Sequence, residues 1–327
     1  MDSETQQGTS GTEPWQTLSL PGPSVIALGL FDGVHRGHQE ILRRTRETAS
    51  RQHLLPAVFT FSNHPRSVLN NHPSPSPRFL IPLERRIELL KEAGIVQVLI
   101  PEFTPAWSST PPEVFARKFL VQKLGVQAVV VGFNYCFGRQ ASGRAADLVE
   151  YGKRFGFKTE VVPPFLCDGE EVSSTRIRNA IQAGRIAEAN RLLGRPYEVS
   201  GAVIQGDQRG RTLGFPTANI QPELPPLLPL GVYAVEVHEK TDQGNTLLGS
   251  GMFFIGPRKT FYEEESIPTL EVHLFHFDKD LYGKHLRVGI LGWIRPPKRF
   301  SGAEELIRQI ERDQADCQKI IDQHYHS

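Results

Sequence analysis

The stretch GLFDGVHRGH, residues 29–38, places two imidazoles three positions apart in a glycine-rich turn. An apolar run, Val25-Ile26-Ala27-Leu28, precedes it, and a helix-like segment, Gln39 to Ser50, follows. A strand that hands over to a helix here exposes unpaired backbone N–H groups and the positive end of a helix dipole, which suits an anion. Gly29, Gly33 and Gly37 let the backbone turn sharply and approach a ligand closely. His35 and His38 are expected on one side of the first helical turn, where they can donate hydrogen bonds to phosphate oxygens. Such donors stabilise the charge that builds up in phosphoryl or nucleotidyl transfer. Two histidines at this spacing, taken alone, are more often surface residues on a turn. The strand in front of them shifts the balance toward function.

A second constellation is VSSTRIR, residues 172–178. Ser173 and Ser174 are helix-capping types, and Thr175 follows. Arg176 and Arg178 fall in the first helical turn, at the end where the helix dipole disfavours cations. An anionic ligand would account for them. An ordinary serine cap with exposed arginines accounts for them as well. Beside the histidine junction, the segment reads as the far wall of one triphosphate site.

These residues need elements to hold them. Ser24–Gly29, Pro56–Phe61, Val96–Ile100, Ala128–Gly132 and Phe157–Val162 are short, largely apolar runs, as strands buried on both faces of a parallel sheet are. Between them lie helical stripes: Leu83, Ile87, Leu90 and Ala93 ending at Gly94, then Val114, Phe115 and Leu124 ending at Gly125. Alternating strands and helices predict a doubly wound α/β domain. The proline-rich NNHPSPSPRFLIP, residues 70–82, is expected on the surface. Helices follow at Ser174–Ala183 and Ile186–Leu193, and GRPYEVSG, residues 194–201, breaks the pattern. Beyond it, SGAVIQG, GVYAVEVHE, LLGSGMFFI, TLEVHLFHF and HLRVGIL read as strands of a small antiparallel barrel. A last helix carries a stripe of Leu306, Ile310, Cys317 and Ile321, with Ile307 and Ile320 beside it. The expected division is a disordered tail over 1–20, an α/β domain over 21–195 and a barrel with a C-terminal helix over 196–327.

The 327 residues suit two domains, and 39% apolar content suffices for packed cores. With 37 basic and 36 acidic residues there is no charge imbalance of the kind a nucleic-acid-binding face brings. Three distant cysteines, Cys136, Cys167 and Cys317, form neither a disulfide framework nor a zinc spacing, and suggest a reducing cytoplasm. No apolar run reaches the roughly 20 residues of a membrane helix. The first sixteen residues lack the basic start and apolar core of a secretory signal.

GLFDGVHRGH and SSTRIR together resemble the nucleotidyltransferase superfamily with an HxGH motif. FTFSNHPR (59–66) and VVVGFNYCFG (129–138) are similar to two further nucleotide-site segments of bacterial FAD synthetases. In the second half, GRTLGFPTANI (210–220), GVYAV (231–235) and LEVHLFHFDKDLYG (270–283) resemble riboflavin kinase. The order of the seven segments resembles the bacterial bifunctional riboflavin kinase/FMN adenylyltransferase family, over roughly residues 22–320. That resemblance implies two reactions: riboflavin and ATP give FMN, and FMN and a second ATP give FAD and pyrophosphate. For adenylyl transfer it implies an ATP site of Gly29, Phe31, Asp32, Gly33, His35, Gly37, His38, Asn134, Ser174, Thr175 and Arg178. His35 and His38 would hold the phosphates and the transition state, and Ser174, Thr175 and Arg178 the leaving pyrophosphate. His64 and Pro65 match the flavin side, although a capping or packing role explains His64 equally well. For the kinase, Gly206, Gly210, Gly214 and Pro216 would cover ATP, and Thr217 and Asn219 offer hard oxygens to Mg²⁺. Glu271 matches the general base for the ribityl hydroxyl; without the resemblance it reads as a solvated carboxylate on a strand, sharing a face with His273, Phe275 and Phe277.

Three positions depart from the family pattern. Cys136 stands where a basic or polar residue is common, Asn63 where proline is common, and Lys259 where a proline usually precedes Thr-Phe. An enzyme with one live half and a flavin-binding module without turnover are the alternatives, and both activities are expected to be retained. The expected partners are small molecules, with no nucleic acid and no membrane, and a homo-oligomer is left open.

Overall fold

A computed structural model of the chain describes residues 13–68, 78–206, 214–241, 244–257 and 268–326. The chain divides into two compact units, 1–78 with 83–166, and 79–82 with 167–327.

The first unit is built on five parallel strands: β1 (Ser24–Leu28), β2 (Leu55–Phe59), β3 (Gln97–Leu99), β4 (Val126–Gly132) and β5 (Lys158–Val162). Their order in the sheet is β3-β2-β1-β4-β5. All five β1 residues are buried, as expected for a strand with helices on both faces. β1 pairs with β2 from Ser24↔Leu55 to Leu28↔Phe59, and with β4 through Ala27↔Val130. The chain order reverses at β1, so the carboxyl ends of β1 and β4 flank the crevice where open α/β sheets bind ligands. GLFDGVHRGH leaves one of these ends and FNYCFG the other.

Helix α1 (Arg36–Gln52) buries Ile41, Leu42, Thr45, Thr48 and Ala49, and ends at His53 in the left-handed conformation. Helix α2 (Leu83–Glu92) departs from the expected stripe. Leu89, Leu90, Arg85 and Arg86 are buried, while Leu83 and Ile87 are only half-buried. The π-helical turn Phe115–Lys123 buries Phe115, Ala116, Phe119 and Leu120 before Gly125, with α3 (Ala145–Phe155) after it.

The expected tail needs correction from residue 13 onward. Trp15 is 3% exposed and belongs to the core, its ring 5.5 Å from Trp107 and 5.6 Å from Phe119. Lys123 donates to Gln16 O at 2.7 Å, and Leu18 and Leu20 pack on the same cluster. A large buried aromatic outweighs the polar composition around it. Trp15→Ala is therefore expected to lower stability by about 3–5 kcal/mol, read as an earlier midpoint in urea at an unchanged slope.

The second unit opens with α4 (Ser174–Gln182) and α5 (Ile186–Leu193), which ends at left-handed Gly194. Six strands then close a barrel: β6 (Tyr197–Ile204), β7 (Ala218–Pro222), β8 (Gly231–Thr241), β9 (Gly244–Gly256), β10 (Thr269–Leu274) and β11 (His285–Arg295). Their order is β6-β7-β10-β9-β8-β11, all antiparallel, and closure removes the free edges. β7 was not among the expected strands, because Pro216 and Pro222 bracket it and read as a turn. The sequence places a boundary near residue 196, whereas α4 and α5 pack with the barrel. Asn190 Nδ2 donates to Ile290 O and its Oδ1 accepts from Tyr197 N, each at 2.8 Å. Leu80 and Ile81 are also buried in this unit, at 2% exposure each, which corrects the surface reading of 70–82 at its C-terminal end. Helix α6 (Ala303–His326) docks Cys317 and Ile321 on Val232, Ala234, Met252 and Leu291. Its buried face includes Asp313, gripped by both nitrogens of the Arg295 fork at 2.6–2.8 Å.

Candidate functional sites at the strand ends and on the barrel face

At the end of β1 the chain makes a tight, buried turn. Gly29 N donates to Phe59 O, and Phe31, Asp32, Val34 and His35 are at most 5% exposed. Gly33 has φ 81°, which glycine adopts freely. Phe31 (φ 53°) and Val34 (φ 40°) are also left-handed, where side chains are strained. The first helical residue is Arg36, so His35 is the N-cap rather than part of the first turn. Its Nδ1 accepts from His38 N at 3.3 Å.

The two imidazoles stack, with centroids 3.6 Å apart and planes at 16°, and Phe31 meets His38 edge-on at 5.2 Å. Burial, then the charges of His35 and Arg86, hold the His38 pKa well below its usual 6.5. His38 is neutral at pH 7. Its Nδ1 is sealed from water without a hydrogen bond. A buried N–H left unpaired is rare, so the proton belongs on Nε2. His35 Nδ1, already an acceptor, likewise leaves its proton on Nε2 when neutral. The pair offers two N–H donors without two like charges 3.6 Å apart.

Asn134 follows β4 in a turn closed by Tyr135 N donating to Gly132 O at 3.0 Å, and it is exposed. Cys136, exposed, donates weakly to Asn134 O at 3.3 Å. His64 caps the short turn Pro65–Ser67, its Nδ1 accepting from Arg66 N at 3.2 Å. That commits one ring nitrogen to structure. Asn63 exchanges two hydrogen bonds with the Phe103 backbone, at 3.0 and 2.6 Å, linking the loops after β2 and β3. Its amide does locally what a proline could not.

Ser173 caps α4, accepting from Arg176 N at 3.2 Å. The argument that Arg176 needs an anion does not hold. Its guanidinium donates to Cys167 O at 3.1 Å and to Glu188 at 3.3 Å, with Glu170 also in range. Arg178 is half-buried and donates to Ser174 O at 3.3 Å, and Thr175 is exposed.

On the barrel, β7 and β10 pair Asn219↔Glu271, and β9 adds Phe254↔Glu271, so Asn219, Glu271 and Phe254 form one row across three strands. The alternation of β10 turns Leu270, Val272 and Leu274 inward and leaves Glu271 and His273 half-buried on the outer face. Thr217 Oγ1 donates to Glu271 Oε2 at 3.2 Å, and a His273 ring nitrogen meets Pro216 O at 2.7 Å. A Cβ on Gly206 would lie 2.0 Å from Asn219 Nδ2, so a larger residue there would displace the Asn219 amide. Gly214 is left-handed at φ 87°. The shared face ends at His273. β10 stops at Leu274, and Phe275 turns into the cluster under α6 with Cys317 and Ile321. Phe277 is half-buried beyond it. Gly210 and Lys259 lie outside the described residues.

The donor set suits Mg²⁺. A Thr217 hydroxyl that donates its proton to Glu271 keeps its lone pairs for a cation, and the Asn219 amide supplies a second hard oxygen. Arg86 was not foreseen: its fork reaches the Leu30 and Phe61 carbonyls beside the histidine turn.

Two family models match the chain, FAD synthetase over residues 18–176 and riboflavin kinase over 193–321. A bifunctional riboflavin kinase/FMN adenylyltransferase of Listeria monocytogenes is 38% identical over 95% of both chains. The protein of the same description from Bacillus subtilis is 35% identical, covering 90% of this chain and 91% of its own. A solved structure from Streptococcus pneumoniae, described as a macrolide-efflux protein, aligns with TM-score 0.81 at 32% identity, covering 92% of this chain and 96% of that one. No described helix here is long and apolar enough to cross a membrane. The chain belongs to the bifunctional riboflavin kinase/FMN adenylyltransferase family.

Proposed function

We propose that the two activities of this chain, riboflavin phosphorylation and FMN adenylylation, divide at residue 195. Residues 21–195 carry adenylyl transfer and 196–327 carry the kinase. The observation that carries the reading is the stacked His35–His38 pair at the end of β1, in which His38 is held uncharged.

In adenylyl transfer, an FMN phosphate oxygen attacks the α-phosphorus of ATP and pyrophosphate leaves, so no protein nucleophile is required. His35 and His38 donate from Nε2 to the phosphate oxygens as negative charge gathers on them. Gly29, Phe31, Asp32, Gly33 and Gly37 shape the turn that receives ATP, and Asn134 approaches from β4. Ser174, Thr175 and Arg178 take the pyrophosphate, on the strength of the SSTRIR motif. His64 and Pro65 border the flavin.

In the kinase, Glu271 accepts the proton of the ribityl hydroxyl as that oxygen attacks the γ-phosphorus. Thr217 holds the Glu271 carboxylate in place. Thr217 and Asn219 are the proposed Mg²⁺ ligands, and the ion when bound supplies charge neutralisation on the ATP phosphates. Gly206, Gly210, Gly214 and Pro216 form the ATP cover. Partners are the small-molecule substrates. The free thiols Cys136, Cys167 and Cys317 suit the reducing cytoplasm in which we place the protein.

Incubation with riboflavin, ATP and Mg²⁺, followed by chromatographic separation of the flavins, tests the reading. FMN is expected first and FAD after it. FMN that never proceeds to FAD would leave only the kinase half active, and the absence of both products would leave a binding module.

A further inference from the structure

Arg86 is 1% exposed. Its Nη1 donates to Leu30 O at 2.9 Å, and its Nη2 to Phe61 O at 2.8 Å and Ser62 O at 3.4 Å. Leu30 lies in the turn after β1, and Phe61 and Ser62 in the segment after β2. One buried side chain thus ties together two loops that leave the carboxyl ends of adjacent parallel strands. Leu30 O also accepts from Thr60 Oγ1 at 3.0 Å, and Thr60 is 1% exposed.

A guanidinium is expensive to bury and is kept only where it is well paired. Burial lowers the Arg86 pKa to about 10, against the raising effect of Asp32, so the group stays charged at neutral pH. The neighbouring strain gives it a task. Phe31 and Val34 are left-handed, and such residues persist where their surroundings over-determine them. Leu30 directly precedes Phe31. Two donors fix its carbonyl, and the trans peptide then turns the Phe31 N–H the opposite way. The orientation of the turn that delivers His35 and His38 is set at this peptide.

We propose that Arg86 is a positioning residue for adenylyl transfer: its fork holds the histidine turn in its left-handed conformation and in register with the segment leading to His64. The proposal rests on the assignment of His35 and His38 to the phosphates. Both Nη nitrogens of Arg86 are engaged by loop carbonyls, so its proposed action is through the turn. The charged and titratable groups grouped with it are Asp32 and His35 from the turn and His38 from α1.

The test uses the full-length chain with R86M, R86K, T60V and H38A. FAD formation from supplied FMN is the readout, and FMN formation from riboflavin is the internal control. In R86M the FAD kcat is expected to fall about 100-fold, the loss a displacement of about 1 Å produces, with FMN formation unchanged. R86K keeps the charge without the fork and is expected to recover only part of that loss. The His38 ring titration, followed by NMR, should move up toward 6.5 in R86M and stay in place in R86K, a separation that a purely structural residue would not give. Thr60 and Arg86 share one acceptor, so losses in T60V and R86K should be non-additive. Wild-type FAD formation in R86K, or additive losses with T60V, overturns the proposal even if R86M fails to fold. Retained FAD formation in H38A would instead bring down the underlying site assignment.

Discussion

Glu271→Ala is expected to abolish FMN formation while FAD still forms from supplied FMN. The expected loss is about 100- to 10,000-fold in kcat, the range a positioned general base contributes. Three strands define the position. Glu271 faces Asn219 on one side and Phe254 on the other, and Thr217 reaches its carboxylate from below the start of β7. Glu271→Gln separates the roles the side chain plays. Glutamine can still accept the Thr217 hydrogen bond through its amide oxygen, yet it cannot take a proton from the ribityl hydroxyl. If the carboxylate works as the base, Gln is as inactive as Ala. A variant Gln enzyme with near-normal FMN formation would reduce Glu271 to a bracket for Thr217. Both assays, run on the same preparations with the flavins separated, carry their own folding control in the FAD reaction.

The strands of both units were legible for one physical reason. A strand sealed between helices, or facing a barrel interior, must be apolar at fixed intervals, and Val25–Leu28, Val129–Val131 and Val232–Val235 are. Helix ends were legible because Gly94, Gly125, Gly184 and Gly194 supply positive φ. What escaped was whatever depended on distant partners. Trp15 sits in a polar segment, and only Trp107 and Phe119 make it core. β7 hides between prolines and becomes a strand through pairing with β6 and β10.

The site residues divide in the same way. Motif residues could be read because their chemistry is local: glycines for a turn, a serine for a cap, imidazoles at its exit. Arg86 and Arg176 could not. An arginine on a helix reads as a solvent-facing charge, and the sequence does not disclose which carbonyls it meets. Arg176 was credited with an anion and is held by Cys167 O and Glu188. Arg86 lies in no motif, and it binds carbonyls of two loops that frame the histidine turn. The one available hint was the helical stripe of α2, which leaves Arg86 next to Leu89 and Leu90 on the buried side.

His38→Ala is expected to do the reverse of Glu271→Ala: FMN still accumulates and FAD formation falls by about 100- to 1,000-fold, the effect of removing one donor from a charge-stabilising site. The loss should fall on kcat, since the interaction strengthens as charge develops on the phosphates. His38→Gln, which restores an N–H donor without an ionisable ring, is expected to recover part of the rate. Acid pH adds a second signature. The folded pKa of His38 lies well below 6.5, its ordinary value, through burial and the charges of His35 and Arg86. Below pH 6.5 the unfolded chain binds a proton that the folded chain does not. Stability therefore falls as pH drops from 6.5 toward the folded pKa, and levels off below it. His38→Ala removes that term, so its urea midpoint should depend less on pH across that window than the wild type's. An alanine variant with the wild-type pH slope would place His38 in water, and an alanine variant that makes FAD at the wild-type rate would remove it from the phosphate site. The two measurements are independent, and the stacked geometry requires both to change.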